Sequence, residues 1–466
     1  MSSLRSSNNL KQQCQQRNAI LSEKRKGRRE LMLASQRIVS VIEDESPRLS
    51  PRGYEERYRD IYEQLNENKL EEKQFNKVLE QIYNNSSRQN HPPFTEMFMC
   101  GVIYKLTQQY ILMNIHQKQM FLGIIQNITG FDSIYNNELI KYNIFQILMD
   151  SLNENELIGL GCGCLCNLLL DSPLILKYSM ENQLPQRLLK VFETCQKIPY
   201  SLIWLIRCIS SKVHDEKILT SFLPLTIRLL TIPEDKTKTT AFVILGEIVT
   251  NNINVISNNY LITLLRFINF SCEVNDSAIT AALRLLRNIT SQVYCEEIEE
   301  LCLNLFLKNN DYSSLTTRRL ILDCVNNVSD ASKSFSEKLF KSNTFCDLPS
   351  KTLSVSDETL RLSLIRLTFQ TIIKSSLGHD PFSIEEKVAL IKMVTLTPID
   401  NQDLLMSSLH FLQFLLQQNL EIEDICQDNS LRDWFDHLLI SKQQDSVKQL
   451  SQALSCHIFL TNQMEL

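Results

Sequence analysis

From about residue 68 onward, apolar residues recur three and four positions apart in one segment after another, and short polar clusters separate the segments. This spacing places the apolar side chains on one face of a helix and is typical of amphipathic α-helices. One such segment, NIFQILMDSL, starts its apolar pattern at Ile144. The pattern predicts that this whole region of the chain is helical.

The helical segments repeat with a period near 40 residues, and two independent registers show it. The first register is a helix end in which apolar residues precede one position that is usually Asn, and a polar break follows. We call these the ladder positions: Asn127, Asn167, Cys208, Glu247, Asn288 and Asn327, at intervals of 40, 41, 39, 41 and 39. The second register is the start of an amphipathic helix at Ile144, Leu184, Leu223, Leu261 and Leu301, at intervals of 40, 39, 38 and 40.

A helical period near 40 is the size of an armadillo or HEAT unit, which buries its apolar face only by stacking on its neighbours. The sequence therefore predicts an all-α fold, an armadillo-repeat right-handed superhelical solenoid of roughly nine to ten repeats with a long concave groove. The low content of 10 Gly and 12 Pro among 466 residues agrees, since all-β chains and phosphate-binding α/β enzymes need many more glycines in turns and loops.

Charge divides the chain into a basic arm and an acidic body. Residues 1 to 40 carry nine basic and two acidic side chains, a net charge of +7, so the net −5 of the whole chain leaves −12 for the remainder. We expect three parts: a basic arm at 1–45, a linker at 46–67 that is rich in charge and proline, and the solenoid at 68–466. The arm favours a protein partner on which it becomes an amphipathic helix. A nucleic-acid patch and an autonomous nuclear localisation signal are its alternatives, and the acidic body argues against nucleic acid.

No group of residues predicts catalysis, a metal site or a cofactor. The segment GLGCGCLC resembles a phosphate-binding loop, but it lies inside a helical repeat, so close helix packing is the favoured interpretation. Its three cysteines have no partner at zinc-site spacing, and the seven histidines form no metal-binding pair. Fourteen cysteines without a framework indicate a reducing compartment. The longest apolar stretch, 157–170, is too short to span a membrane. We expect a protein of cytoplasm and nucleus that is no enzyme.

The repeated asparagines leave two interpretations open. A row of Asn side chains along a groove can hydrogen-bond the backbone of an extended peptide, because the carboxamide both donates and accepts. Alternatively, each Asn caps its own helix end. Three aspartates that shortly follow ladder positions, Asp132, Asp171 and Asp330, are candidates to pair with a Lys or Arg of such a peptide, or else solvated turn residues.

Three stretches resemble the importin-α family of nuclear import adaptors. SRQNHPPFTEMFMCGVIYKL is similar to the first armadillo unit of that family, with matches at Ser87, Pro92, Pro93, Gly101, Ile103 and Lys105. LGEIVTNN resembles a helix end of the family, with Glu247 where Asn is usual. RKGRRELML resembles the importin-β-binding segment, as Arg5 and Lys11 resemble its first basic group. The likeness extends from residue 5 to about 375.

The resemblance implies a mechanism without catalysis. The arm would bind importin-β and, when unoccupied, fold back into the groove as a pseudo-substrate. The groove would hold a basic localisation signal, and a nuclear export receptor would recycle the adaptor. The implied cargo contacts are Asn127, Asn167, Trp204, Asn288 and Asn327, to which Asp171 is added as a charged contact. The implied importin-β contacts are Lys24, Arg25, Lys26, Arg28, Arg29 and Arg37.

The sequence also departs from the family pattern. The family has a Trp four residues before each ladder Asn, whereas here only Trp204 remains, and its paired ladder residue is Cys208. The other positions are Gly123, Gly163, Val243, Arg284 and Asp323. The arm lacks the central arginine run of the family and has only Arg17 in that region. We therefore expect a divergent adaptor, or alternatively a scaffold or chaperone that has lost recognition of basic signals.

Overall fold

The computed structural model describes residues 50–66, 70–87, 92–131, 133–171, 173–195, 197–274, 276–309, 312–375, 382–417, 429–441 and 443–460, without the side chains of residues 133, 171, 173, 174, 343, 429 and 460. The arm at 1–45 lies outside the described residues, and with it Lys24, Arg25, Lys26, Arg28, Arg29 and Arg37. The chain divides into two compact units, Met1–Thr226 and Ile227–Leu466, which we call unit 1 and unit 2.

Every regular element within the described ranges is helical, which confirms the all-α prediction. The helices of unit 1 are α1 (Pro51–Asn66), α2 (Glu72–Ser86), α3 (Phe94–Met99), α4 (Val102–Gln109), α5 (Ile115–Thr129), α6 (Ser133–Lys141), α7 (Ile144–Ser151), α8 (Ile158–Asp171), α9 (Pro173–Glu181), α10 (Leu184–Thr194) and α11 (Tyr200–Ser210). Helix α12 (Glu216–Leu230) contains the division between the units.

The helices of unit 2 are α13 (Asp235–Asn251), α14 (Asn258–Val274), α15 (Ile279–Thr290), α16 (Glu296–Leu307), α17 (Leu315–Ala331), α18 (Lys333–Phe340), α19 (Asn343–Cys346), α20 (Leu348–Leu353), α21 (Glu358–Ser375), α22 (Ile384–Thr395), α23 (Gln402–Gln417), α24 (Asn429–Ile440) and α25 (Asp445–Leu460). Short 3-10 turns follow α4 at Tyr110–Leu112 and α13 at Ile253–Val255.

The helix that ends each repeat packs against its counterpart in the next repeat. Within unit 1 this series runs α2, α5, α8 and α11, and within unit 2 it runs α13, α15, α17, α21, α23 and α25. We call these ten the ladder helices, since the six ladder positions lie on them. Between two of them, the buried rings of Phe369 in α21 and Phe411 in α23 stack with their centroids 4.3 Å apart. Ten ladder helices among the described residues agree with the expected nine to ten repeats.

Three repeats of unit 1, α3–α5, α6–α8 and α9–α11, have three helices each, whereas α14–α15 and α16–α17 of unit 2 are two-helix repeats. In unit 1 the first two helices are separated by a residue in the left-handed conformation, Asn143 with φ 60° and Gln183 with φ 57°. Asn tolerates this region better than most residues, and either residue there ends the preceding helix. The sequence predicted a helix start at Leu223, but α12 already begins at Glu216 and continues through Pro224.

The predicted linker at 46–67 is wrong for most of its length. Residues 51–66 form α1, and its apolar positions Tyr54, Tyr58, Ile61 and Leu65 are all buried. The hydroxyl of Tyr58 accepts a hydrogen bond from Asn85 Nδ2 of α2 at 3.0 Å. The dense charge that suggested a linker lies instead on the exposed face of this helix, so helical packing begins before residue 68.

Candidate functional site

All six ladder positions lie in the last turns of ladder helices, as the 40-residue register predicts. Asn127 lies two residues before the end of α5, and Asn288 two residues before the end of α15. The same holds for Cys208 in α11, while Glu247 and Asn327 lie four residues before the ends of α13 and α17. The sequence pattern therefore locates one equivalent side chain on each successive ladder helix within a unit.

Each ladder asparagine donates a hydrogen bond to a hydroxyl of the preceding ladder helix. In unit 1, Asn127 Nδ2 lies 3.2 Å from Ser86 Oγ, and Asn167 Nδ2 lies 3.2 Å from Thr129 Oγ1. In unit 2, Asn288 Nδ2 lies 3.1 Å from Thr250 Oγ1. The fourth bond, from Asn327 Nδ2 to Thr290 Oγ1, is also 3.1 Å long.

Each of these hydroxyls also acts as a hydrogen-bond donor. Thr129 Oγ1 donates to the carbonyl of Gln126 in its own helix at 3.1 Å, and Thr290 Oγ1 donates to the carbonyl of Arg287 at 3.1 Å. Each hydroxyl thus donates within its helix and accepts from the next repeat. These hydroxyl residues are not among those predicted from the sequence. The sequence signal for them is the triplet Asn-Ile-Thr, which occurs at Asn127 and at Asn288. The Asn of the triplet donates a hydrogen bond to the preceding ladder helix, and its Thr accepts one from the Asn of the next ladder helix.

Burial of the ladder asparagines differs between the units. Asn127 and Asn167 expose none of their surface, so they offer no accessible atom to a peptide in this structure. Asn288 and Asn327 are half-buried, and Oδ1 of each has no hydrogen-bond partner among the described residues. The observed role of all four is to connect adjacent helices, and contact with a cargo peptide stays a prediction.

The indole ring of Trp204 is not freely exposed for stacking on a peptide side chain. The indole is only 7 % exposed, and the guanidinium carbon of Arg207 lies 4.4 Å from its ring centroid. Stacking of this kind is a favourable cation–π contact, and it occupies part of the ring surface that a lysine stem of a cargo peptide would use. Cys208, which stands at the ladder position here, has its Sγ 2.9 Å from Cys166 Sγ instead of bonding to a hydroxyl.

Close packing accounts for the segment GLGCGCLC in α8, as the sequence analysis favoured. A Cβ atom at Gly161 would lie 2.2 Å from Ser151 Oγ of α7, which no side chain tolerates without displacement. A Cβ at Gly163, where the family has Trp, would lie 3.0 Å from Gln126 Nε2 of α5. The cysteines at 162, 164 and 166 are fully buried, and burial raises the pKa of each thiol. They are packing residues with little thiolate character.

Charged side chains bridge the ladder helices of unit 2. Asp323 of α17 faces Arg287 of α15 with an Nη1–Oδ2 distance of 3.6 Å. Burial raises the pKa of the Asp323 carboxyl, against the opposing effect of Arg287 and Arg366. Asp330, which the sequence offered as a partner for a cargo lysine, pairs with Arg366 Nη2 of α21 at 2.9 Å and lies 3.8 Å from Lys374 Nζ. The side chains of Asp132 and Asp171 lie outside the described residues.

Two charged side chains on the same face remain unpaired within the described part of the chain. Glu247, at the ladder position of α13, is half-buried and makes no ion pair. Arg284 of α15 is exposed, lies one helical turn before Asn288, and makes no ion pair either. Residues four apart share a helix face, so Arg284 and Asn288 are presented on one side of α15.

The described residues contain neither a metal-binding cluster nor a membrane-spanning helix. These residues contain no cluster of three or more His, Cys, Asp or Glu side chains that could hold a metal ion. No helix among them is both long and apolar enough to cross a membrane.

Comparison with known proteins identifies the fold. No family model matches the chain, and no curated protein sequence matches it. Among solved structures, an engineered protein from the Northeast Structural Genomics Consortium aligns with a TM-score of 0.65 at 14 % identity, over 86 % of this chain and 98 % of its own. A chain from a study of the phosphorylation switch between cadherin and β-catenin aligns with a TM-score of 0.50 at 12 % identity, over 91 % of this chain and 99 % of its own. At these identities the likeness establishes an armadillo-like helical repeat fold.

Proposed function

We propose that the protein is a nuclear import adaptor of the importin-α type, working between cytoplasm and nucleus without catalysis. In this proposal the localisation signal of a cargo protein binds to the ladder face of unit 2, by which we mean the surface that carries Glu247, Arg284, Asn288 and Asn327. The arm at 1–45 binds importin-β. An export receptor returns the empty adaptor, and neither nucleic acid nor a membrane is a direct partner.

The observation that carries the proposal is the pair Asn288 and Asn327. They occupy equivalent positions on adjacent helices, are half-exposed, and are each held by a hydrogen bond from Nδ2 to the preceding helix. Anchoring one end of the carboxamide fixes where Oδ1 points, which lowers the entropy cost of accepting a peptide N–H. Packed helices lie about 8–10 Å apart and an extended chain rises about 3.3 Å per residue. The distance between the two asparagines therefore matches the distance between two residues of an extended peptide that are about three positions apart.

Glu247 supports a basic ligand at the same face. It is half-buried on α13 without an ion-pair partner in the described residues, and Asn288 bonds to the same helix through the carbonyl of Gly246 at 3.4 Å. A partly desolvated, unpaired carboxylate beside an anchored asparagine attracts a lysine or arginine more strongly than a solvated one. The net charge of −12 over residues 41–466 adds a longer-range attraction for basic segments.

The test uses the full chain and two variants. In the arm variant, Lys24, Arg25, Lys26, Arg28 and Arg29 are replaced by Ala, and in the ladder variant Asn288→Ala is combined with Asn327→Ala. Pull-down with purified importin-β should recover the full chain and the ladder variant but lose the arm variant. Fluorescence anisotropy with a labelled lysine-rich signal peptide should show binding that the ladder variant weakens about tenfold, since two backbone contacts are lost.

A matched control for the ladder variant is Asn304→Ala, because Asn304 is an exposed asparagine of unit 2 on α16, which is not a ladder helix. It should leave peptide binding unchanged. Equal recovery of the arm variant and the full chain on importin-β would contradict the first half of the proposal. Binding no tighter than that of a scrambled peptide would contradict the second half.

A second candidate function, a scaffold or chaperone without signal recognition, is favoured by unit 1. There the ladder asparagines are fully buried, and Gly163 has no side chain at the position where a stacking aromatic would stand. In this case the array would present other surfaces to its partners, and the anisotropy test with the signal peptide would be negative while the fold stayed intact.

A further inference from the structure

The ladder face of unit 2 presents two unpaired charges of opposite sign. Glu247 extends from α13 and Arg284 from α15, and these two helices pack directly against each other. No carboxylate oxygen of Glu247 lies within 4.0 Å of an Arg284 nitrogen, since neither residue belongs to an ion pair in the described part of the chain. The carboxylate of Glu247 and the guanidinium of Arg284 are therefore both available to pair with charged groups of a ligand.

The neighbouring charged side chains on this face already belong to ion pairs. Arg287, on the same helix as Arg284, faces Asp323 at 3.6 Å. Asp330 is shared by Arg366 and Lys374. Consequently Asp323 and Asp330 do not offset Arg284, and Arg287 does not offset Glu247. Within the described residues, Glu247 and Arg284 are thus the charged side chains near Asn288 that belong to no ion pair.

We propose that the peptide segment held at Asn288 and Asn327 has mixed charge, with a basic side chain at Glu247 and an Asp or Glu side chain at Arg284. The inference rests on the peptide-binding part of the proposed function and is independent of importin-β. A guanidinium forms two parallel hydrogen bonds to a carboxylate and repels lysine at the same point. An all-basic segment gains at Glu247 and loses at Arg284, whereas a mixed segment gains at both. Charge complementarity of this kind sets register and partner choice more than total affinity.

The test is a charge-swap experiment on the full chain in the arm-variant background, in which the basic side chains at 24, 25, 26, 28 and 29 no longer compete. The probes are fluorescein-labelled 12-residue Ala/Ser peptides that carry two Lys and two Glu separated by three residues, in both orders, together with an all-Lys peptide. One order of the mixed peptide should bind tightest. Arg284→Glu should weaken that peptide about tenfold and strengthen the all-Lys peptide.

A double charge reversal keeps the result interpretable. Arg284→Glu combined with Glu247→Arg should invert the preference between the two orders of the mixed peptide, which a misfolded variant cannot do. Arg266→Glu is the matched control, since Arg266 is an exposed arginine of unit 2 on α14, which is not a ladder helix. It should leave every peptide affinity unchanged.

The outcomes separate this inference from the proposed function. If the all-Lys peptide binds and depends on Asn288 and Asn327, while Arg284→Glu changes no affinity, the mixed-charge inference is wrong and peptide binding stands. If none of the peptides binds above its scrambled counterpart, peptide binding by unit 2 fails and the inference fails with it.

Discussion

Unit 1 and unit 2 share the same asparagine-to-hydroxyl bond between successive ladder helices but surround it differently. In unit 1, Gly163 precedes Asn167 by one turn, and the asparagine is sealed from solvent. In unit 2, Arg284 and Asp323 occupy the corresponding positions, and the asparagines after them stay half-exposed. The comparison teaches that the bond itself is a device of repeat stacking. Whether a ladder asparagine is also accessible to a ligand depends on its burial, which is complete in unit 1 and partial in unit 2.

The largest effect should come from overpacking unit 1 at Gly161. Gly161→Leu places side-chain atoms where Ser151 Oγ already lies, and we expect a loss of about 3 kcal/mol in the free energy of unfolding, measured by urea denaturation. Gly159→Ala is the control, because its Cβ would meet nothing closer than 3.7 Å and Ala favours a helix. Equal losses at 161 and 159 would mean that tight packing is not what the glycines of α8 provide.

A smaller effect is expected from a buried carboxylate of unit 2. Glu299 of α16 is 2 % exposed and accepts hydrogen bonds from Tyr294, from Ser332 Oγ at 2.6 Å and from Lys338 Nζ at 2.7 Å. Burial raises the pKa of this carboxyl, but the hydrogen bonds outweigh burial and the net pKa is lowered. We expect Glu299→Gln to cost about 2 kcal/mol at pH 7, because charge-assisted hydrogen bonds are lost.

The pH dependence of this contribution has a definite sign. Because the folded-state pKa lies below the unfolded value of about 4.3, the stabilisation is complete above that value and disappears as pH falls through the folded pKa. Denaturation curves between pH 3 and 7 should show this decline in the native chain but not in Glu299→Gln. Glu300→Gln, at the exposed neighbouring position, should retain it. Parallel pH profiles for the native chain and Glu299→Gln would rule out this role.

The smallest and most direct test compares equivalent asparagines. Asn167→Ala in unit 1 should cost about 1.5 kcal/mol, because it removes a buried hydrogen bond and leaves Thr129 without its donor. Asn327→Ala in unit 2 should cost about 0.5 kcal/mol, because water can replace the lost group at a half-exposed site. The two unfolding free energies give the contrast directly. A larger cost at Asn327 than at Asn167 would reverse the comparison between the units.

Much of the candidate site could be read from the period of the chain. The 40-residue interval located Asn288 and Asn327 on adjacent helices, and the composition of GLGCGCLC correctly indicated packing. The hydroxyl partners Thr129 and Thr290 were not anticipated, because the local Asn-Ile-Thr spacing does not show that the Thr accepts a hydrogen bond from an Asn about 38 residues further along the chain. The linker predicted at 46–67 is largely helical, because its dense charge outweighed the helical spacing of Tyr54, Tyr58, Ile61 and Leu65 in the prediction.

The amino-acid sequence by itself determined the helical character, the repeat length and the division into a basic arm and an acidic body, because these follow from local periodicity and from counting charges. Tertiary structure alone decided which of the chemically identical asparagines are sealed and which are exposed. It also decided which charges are already paired, as at Asp323 and Asp330, and which remain open, as at Glu247 and Arg284. Burial and ion pairing depend on distances between helices about 40 residues apart, and those distances exist only once the repeats have stacked.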